Sequence, residues 1–217
     1  MEHTALTRTI ATTVHGRYLV RVPQTRPPWP VLFAFHGYAE DAAAGLAAVE
    51  RIAEASNWLV VAVQALHPFY TKNQRVVASW MTREDRELAI PDNISYVRSV
   101  VDAVVSEFAV TSVTVFSGFS QGVAMAYRAA AHISADGVIA LAGDVPADVA
   151  PPQRLPHVLI GRGLTDEWYS EEKLAADVGR LGELAVSVET ILFAGGHQWT
   201  DAFAETAGGF LARLRRR

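Results

Sequence analysis

One serine, one aspartate and one histidine of this 217-residue chain stand where acyl-transfer chemistry would need them. Ser120 lies in SGFSQG (117–122), between two glycines, where the apolar run VTVF gives way to the alanine-rich run VAMAYRAAAH. On so sharp a strand-to-helix turn the hydroxyl is pushed out of the sheet, and flanking glycines remove the Cβ atoms that would crowd the turn. A serine hydroxyl is a poor nucleophile at neutral pH. It needs a base to take its proton during attack and return it to the leaving group, and a carboxylate to hold that base in the productive tautomer. His197, after VSVETILFAG, and Asp166, after HVLIGRG, are the candidates for these roles. The chain order Ser, Asp, His is the order expected of a nucleophile on such an elbow. Plainer alternatives stand beside each residue: Ser120 as a helix cap, Asp166 as a cap for a helix near 170, and His197 as an ordinary loop histidine. Asp144, after GVIALAG, competes with Asp166 for the imidazole.

Attack on a carbonyl builds negative charge on its oxygen, which two backbone N–H groups should meet. One is that of Gln121, at the helix N-terminus behind the serine. The other falls in the loop after VLFAF, which reads His36-Gly37-Tyr38-Ala39. Gly37 lets the chain turn closely beneath a substrate, which makes the N–H of Tyr38 the first candidate and that of Ala39 the second. His36 reads as a structural hydrogen-bonding residue.

Positioning these residues is the task of the elements between them. RTIATTV (8–14) and GRYLVRV (16–22) are rich in branched residues and meet at His15-Gly16, which predicts a hairpin. PQTRPPWP connects to VLFAF (31–35), a strand too apolar to have a wet face. A helix over 41–56, a buried strand at 58–64, an amphipathic helix over 92–108, a strand at 113–116 and a helix at 123–132 follow. The strands GVIALAG, HVLIGRG and VSVETILFAG and the helices at 170–181 and 201–214 complete the alternation. This pattern predicts a three-layer α/β sandwich, a mainly parallel sheet with helices on both faces, with ligands gathering beyond the carboxyl ends of the strands. Ser120, Asp166 and His197 then share one sheet edge. The stretch 66–91, with LHPFY, SWM and TREDRE, reads as an irregular cap or pocket segment of a single domain spanning 1–217.

Composition narrows the chemistry further. A formal charge of −4 gives no broad attraction to phosphate backbones, so no nucleic-acid partner is expected, and RLRRR at the C-terminus reads as a solvated helix end. The absence of cysteine excludes disulfides and thiolate catalysis. The seven histidines are scattered without paired spacing, and no GxGxxG follows the first apolar strand, so neither a metal nor a dinucleotide cofactor is expected. No run approaches the roughly 18 apolar residues of a membrane span, and the N-terminal residues lack the pattern of a cleaved leader; a cytoplasmic location is the expectation.

In order, FAFHGYAED, SGFSQGVAMAYRAA, GVIALAG, GRGLTDEW and AGGHQW resemble the α/β-hydrolase superfamily, specifically its carboxylesterase and acyl-protein thioesterase (phospholipase/carboxylesterase) branch. The resemblance implies the α/β-hydrolase fold and serine hydrolysis of small or acyl carboxylic esters or thioesters through an acyl-enzyme, with no cofactor. Members of that branch typically carry HGxGD and GFSQGG, where this chain has HGYAED and GFSQGV; Tyr38 and Ala39 therefore alter the oxyanion loop, and Val123 narrows the space beside the elbow helix. The resemblance also implies aromatic residues beside the substrate within 66–91, where the chain offers Phe69, Tyr70 and Trp80. Trp168 and Trp199 each lie two residues beyond Asp166 and His197, and with Trp80 they are the substrate-binding candidates. Dienelactone-type or peptide hydrolysis on the same scaffold is the alternative reaction. A non-catalytic small-ligand binder is the alternative class, against which the three intact residues argue.

Overall fold

The computed structural model describes residues 5–149 and 155–216. In chain order the strands are Tyr18–Arg21 (β1), Trp29–Phe35 (β2), Leu59–Val63 (β3), His67–Tyr70 (β4), Val76–Ser79 (β5), Val110–Phe119 (β6), Gly137–Leu141 (β7), His157–Gly163 (β8) and Val188–Phe193 (β9). The helices are Ala42–Glu50 (α1), Arg86–Glu107 (α2), Gln121–His132 (α3), Glu171–Glu183 (α4) and Asp201–Arg215 (α5). Seven strands form one sheet in the order β1-β3-β2-β6-β7-β8-β9, while β4 and β5 pair as a separate hairpin. Every pairing in the large sheet is parallel except that of the edge strand β1 with β3.

The central strands are apolar on consecutive residues because both of their faces are covered. Along β2, Val31, Phe33 and Phe35 enter one core with Val97, Val100 and Val104 of α2 and Met125 of α3. Leu32 and Ala34 enter the opposite core with Val49 of α1 and Phe203, Phe210 and Leu214 of α5. Burying side chains of this size contributes roughly 1.5–3 kcal/mol each, so the two layers hold the sheet between them. The predicted three-layer α/β architecture is the observed one.

Three local expectations are corrected. Residues 8–14 form no strand; they are exposed, and β1 takes its partner from β3 through Tyr18↔Val63 to Arg21↔Val60. Branched residues favour extended chain, but they do not choose the partner. The 66–91 segment is more regular than expected: the β4–β5 hairpin occupies 67–79, closed by Thr71 N–H to Arg75 C=O at 2.9 Å and by Gln74 at φ 59°. Finally α2 begins at Arg86, before Pro91 rather than after it. The N–H groups of Leu88 and Ala89 both reach the Asp85 carbonyl and close the turn that precedes the proline. The C-terminal arginines are exposed at the end of α5, where Arg213 pairs with Glu189 and Arg215 with Glu54; Arg217 lies outside the described residues. Among the described residues no helix is long and apolar enough to cross a membrane.

Candidate active site

Ser120 joins β6 to α3 at φ 53° and ψ −120°, a conformation that L-residues rarely adopt and that costs about 1–3 kcal/mol. The turn is that tight because backbone passes on both sides. A Cβ on Gly118 would strike the Gly122 carbonyl, and one on Gly122 would strike the carbonyl of Phe35 in β2. Ser120 N–H donates to the Leu141 carbonyl at 2.9 Å, which anchors the turn to β7. The hydroxyl makes no capping bond to α3; Ser120 Oγ stands 2.8 Å from His197 Nε2.

The loops after β8 and β9 are zipped together by backbone bonds, Leu164 N–H to Phe193 C=O and Thr165 N–H to Gly195 C=O, both 2.9 Å. Gly163 permits this contact, since a Cβ there would run into the Gly195 and Gly196 carbonyls. The result brings Asp166 to His197, whose Nδ1 lies 3.0 Å from Oδ2 and 3.1 Å from Oδ1. Asp166 is buried, and its Oδ1 also accepts the N–H groups of Trp168 and Tyr169 at 2.9 Å each, so the carboxylate cannot swing away. It does not cap α4, a role that Ser170 fills by accepting Lys173 N–H. Asp144 is engaged elsewhere, by Lys173 at 3.4 Å.

Of the N–H groups in the loop after β2, Gly37 donates to Glu40 Oε2 (2.7 Å), Ala39 to the Ala78 carbonyl (3.1 Å) and Glu40 to the Gly37 carbonyl (3.3 Å). Of the two candidates, the N–H of Ala39 is taken and that of Tyr38 has no partner among the described residues, so the geometry favours Tyr38 over Ala39 as an oxyanion donor. Ala39 sits at φ 59°, a strain that the usual glycine of HGxGD would not carry. His36 is buried and holds this loop: its Nδ1 bonds the Gly37 carbonyl (2.7 Å) and its Nε2 accepts Ala65 N–H (3.1 Å). Burial lowers its pKa, the Gly37 bond and Asp41 opposing in part, which suits the neutral ring that these two bonds require. The Gln121 side chain clamps the elbow to the segment after β5, accepting Trp80 N–H at 3.0 Å and donating to the Met81 carbonyl at 2.9 Å. Its backbone N–H opens α3 beside Ser120.

A cavity of about 420 Å³ adjoins Ser120 and His197, walled by Met81, Ala124, Ala142, Trp168 and Tyr169 and by several charged side chains. Of the three tryptophan candidates only Trp168 lines it. That ring is 75% exposed, with its centroid 6.4 Å from His197. Trp80 is fully buried in the core, edge-on to Phe35, with its indole N–H donated to the His36 carbonyl at 2.9 Å. Trp199 packs against Phe203 in the opposite core layer. Val123 is likewise buried and faces Gly143, where a Cβ would lie 2.7 Å from it. Phe69 stacks on Tyr38, away from that wall. Met81 and Tyr169 also line the cavity, and the sequence marks them only by their place beside Trp80 and Trp168. Among the described residues no three His, Asp or Glu side chains cluster as metal ligands.

A parallel sheet of this order with a strained strand-to-helix serine at its carboxyl edge defines the α/β-hydrolase class. Residues 18–160 match the Phospholipase/Carboxylesterase family, and the chain belongs to it. Among solved structures it is similar to a Bacillus cereus carboxylesterase (17% identity, 92% of this chain and 94% of that one, TM-score 0.73). It is also similar to a Mesorhizobium loti carboxylesterase (21%, 84% and 88%, TM-score 0.72) and to Arabidopsis thaliana SOBER1 (20%, 86% and 99%, TM-score 0.71). At these identities the likeness establishes a shared fold. No curated protein matches the chain at a significant level.

Proposed function

We propose that the protein is a serine esterase that cleaves small or acyl carboxylic esters or thioesters through an acyl-enzyme on Ser120, without metal or organic cofactor. The observation that carries this reading is the 2.8 Å approach of Ser120 Oγ to His197 Nε2 on a positive-φ elbow, with the buried Asp166 behind the imidazole. Ser120 Oγ attacks the carbonyl carbon as its proton passes to His197 Nε2, and Asp166 stabilises the resulting imidazolium. The N–H groups of Gln121 and Tyr38 receive the oxyanion. Collapse expels the alcohol or thiol, which takes the proton from His197; water, activated by the same base, then releases the acid and restores Ser120.

A panel of 4-nitrophenyl esters of graded chain length, run beside a thioester and a peptide, tests this. Turnover of esters or thioesters is expected, with the peptide inert. Ser120→Ala should lower kcat by about a thousandfold or more with little change in KM. Unchanged turnover in that variant excludes the reading.

A further inference from the structure

The cavity beside Ser120 carries more positive charge than hydrolysis of a neutral ester requires. The proposed chemistry uses a hydroxyl, an imidazole, a carboxylate and two backbone N–H groups. Yet Arg83, Arg86, Arg128 and Lys173 all line the wall, against the single carboxylate of Asp144. They come from three parts of the fold, the entrance to α2, the middle of α3 and the first turn of α4, within a chain whose formal charge is −4.

Their pairing shows which cations are available. Lys173 is shared between Asp144 (3.4 Å) and the Trp168 carbonyl (2.8 Å). Arg128 is fully buried; Asp148 takes its Nε and Nη2 at 2.8 and 2.7 Å, leaving Nη1 with only the Met81 thioether at 3.6 Å. Sulfur is a weak acceptor, so a buried guanidinium retains donor capacity beside the cavity-lining Met81. Arg83 and Arg86 are exposed and form no ion pair with any described residue, and their sequence neighbours Glu84, Asp85 and Glu87 do not line the wall. Arg86 also opens α2, so the positive end of that helix adds to its field.

From this arrangement we infer that the substrate is an ester bearing its own anion, a carboxylate or phosphate group, held by Arg83 and Arg86, with Nη1 of the Asp148-paired Arg128 as a further hydrogen-bond donor. The inference deepens the serine-esterase reading and rests on it. A guanidinium offers a planar fork that matches either group; neither exposed arginine is held in a salt bridge, and Asp148, whose carboxylate feels the charge of Arg86, is itself bound by Arg128.

The test compares mono-4-nitrophenyl adipate and 4-nitrophenyl 5-phosphonopentanoate with neutral 4-nitrophenyl hexanoate, each corrected for spontaneous hydrolysis. At low ionic strength kcat/KM should favour at least one anionic ester by about tenfold, and the preference should shrink as salt is added. The larger of the two ratios identifies the anion. In the double variant Arg83→Gln/Arg86→Gln both ratios should fall to near one; ratios near one in the unmodified protein, or ratios that survive the double substitution, overturn the inference. Calorimetric titration of Ser120→Ala with adipate and with 5-phosphonopentanoate reads the contact without turnover. Saturable, salt-sensitive binding of either that disappears on adding Arg83→Gln/Arg86→Gln supports it, and absence of binding by both refutes it. Hydrolysis of hexanoate without anionic preference would sink the inference and leave the esterase reading standing. Anion binding with all three esters inert would overturn the esterase reading and the ester inference with it, leaving only an anion contact at Arg83 and Arg86.

Discussion

At the scale of single residues, two aspartates make a sharp contrast. Asp166 is buried against His197, with two N–H groups fixing one of its oxygens, whereas Asp144 is half-exposed and bonds Lys173. Asp166→Asn should lower kcat by orders of magnitude by favouring the wrong imidazole tautomer, and Asp144→Asn should cost less than about tenfold; steady-state kinetics of the pair decide the matter. Ala39 supplies a second residue-scale expectation. At φ 59° its methyl is strained while its N–H is tied to Ala78, so Ala39→Gly should raise stability by about 0.5–1 kcal/mol in urea denaturation. Ser120, Asp166 and His197 were legible because each follows an apolar strand within a short motif. That the N–H of Ala39 is tied up was not, since it depends on a carbonyl 39 positions away.

At the scale of elements, the β4–β5 hairpin and the turn after it act as a strap across the loop that follows β2. Ala78 accepts Ala39 N–H, Trp80 Nε1 donates to the His36 carbonyl, and Asn93 of α2 donates to the Trp80 carbonyl at 2.8 Å. Trp80→Ala should therefore lower stability by roughly 3 kcal/mol or more and depress kcat on every acyl length alike, rather than shift chain-length preference. Trp80→Phe keeps most of the ring and loses the hydrogen bond, so about 1–2 kcal/mol is expected. A thermal melt beside the ester panel separates the two outcomes. The sequence pointed to this segment but not to its order. TKNQ lacks the Asn-Gly or Asp-Gly signal of a two-residue hairpin, and Pro68 within β4 reads against a strand. An aromatic residue in a polar stretch also carries no mark of whether it faces a cavity or the core, which is why Trp80 and Trp168 could not be told apart.

At the scale of the whole molecule, the alternation of strands and helices was readable because the parallel strands are buried on both faces and stand out as continuous apolar runs. The N-terminal edge was not, because β1 finds its partner about 40 residues away rather than in the neighbouring run. Long-range charge pairing is equally invisible in sequence. Arg128 holds the Asp148 carboxyl below its ordinary pKa, so the pair's stabilisation is complete above the normal carboxylate range and is lost as pH falls through that depressed value. Asp148→Asn leaves a buried guanidinium unbalanced. With Asp148 partly open to water the loss at neutral pH should be about 2 kcal/mol, and the gap between variant and unmodified protein should narrow below about pH 4; urea melts at both pH values measure it. The central claim, that Ser120 is a nucleophile activated by His197, is tested most directly by reaction with a fluorophosphonate followed by peptide mass mapping. One adduct is expected, on the peptide containing Ser120, absent from Ser120→Ala and slowed by orders of magnitude in His197→Ala. An adduct on another serine, or labelling that persists in Ser120→Ala, would contradict it.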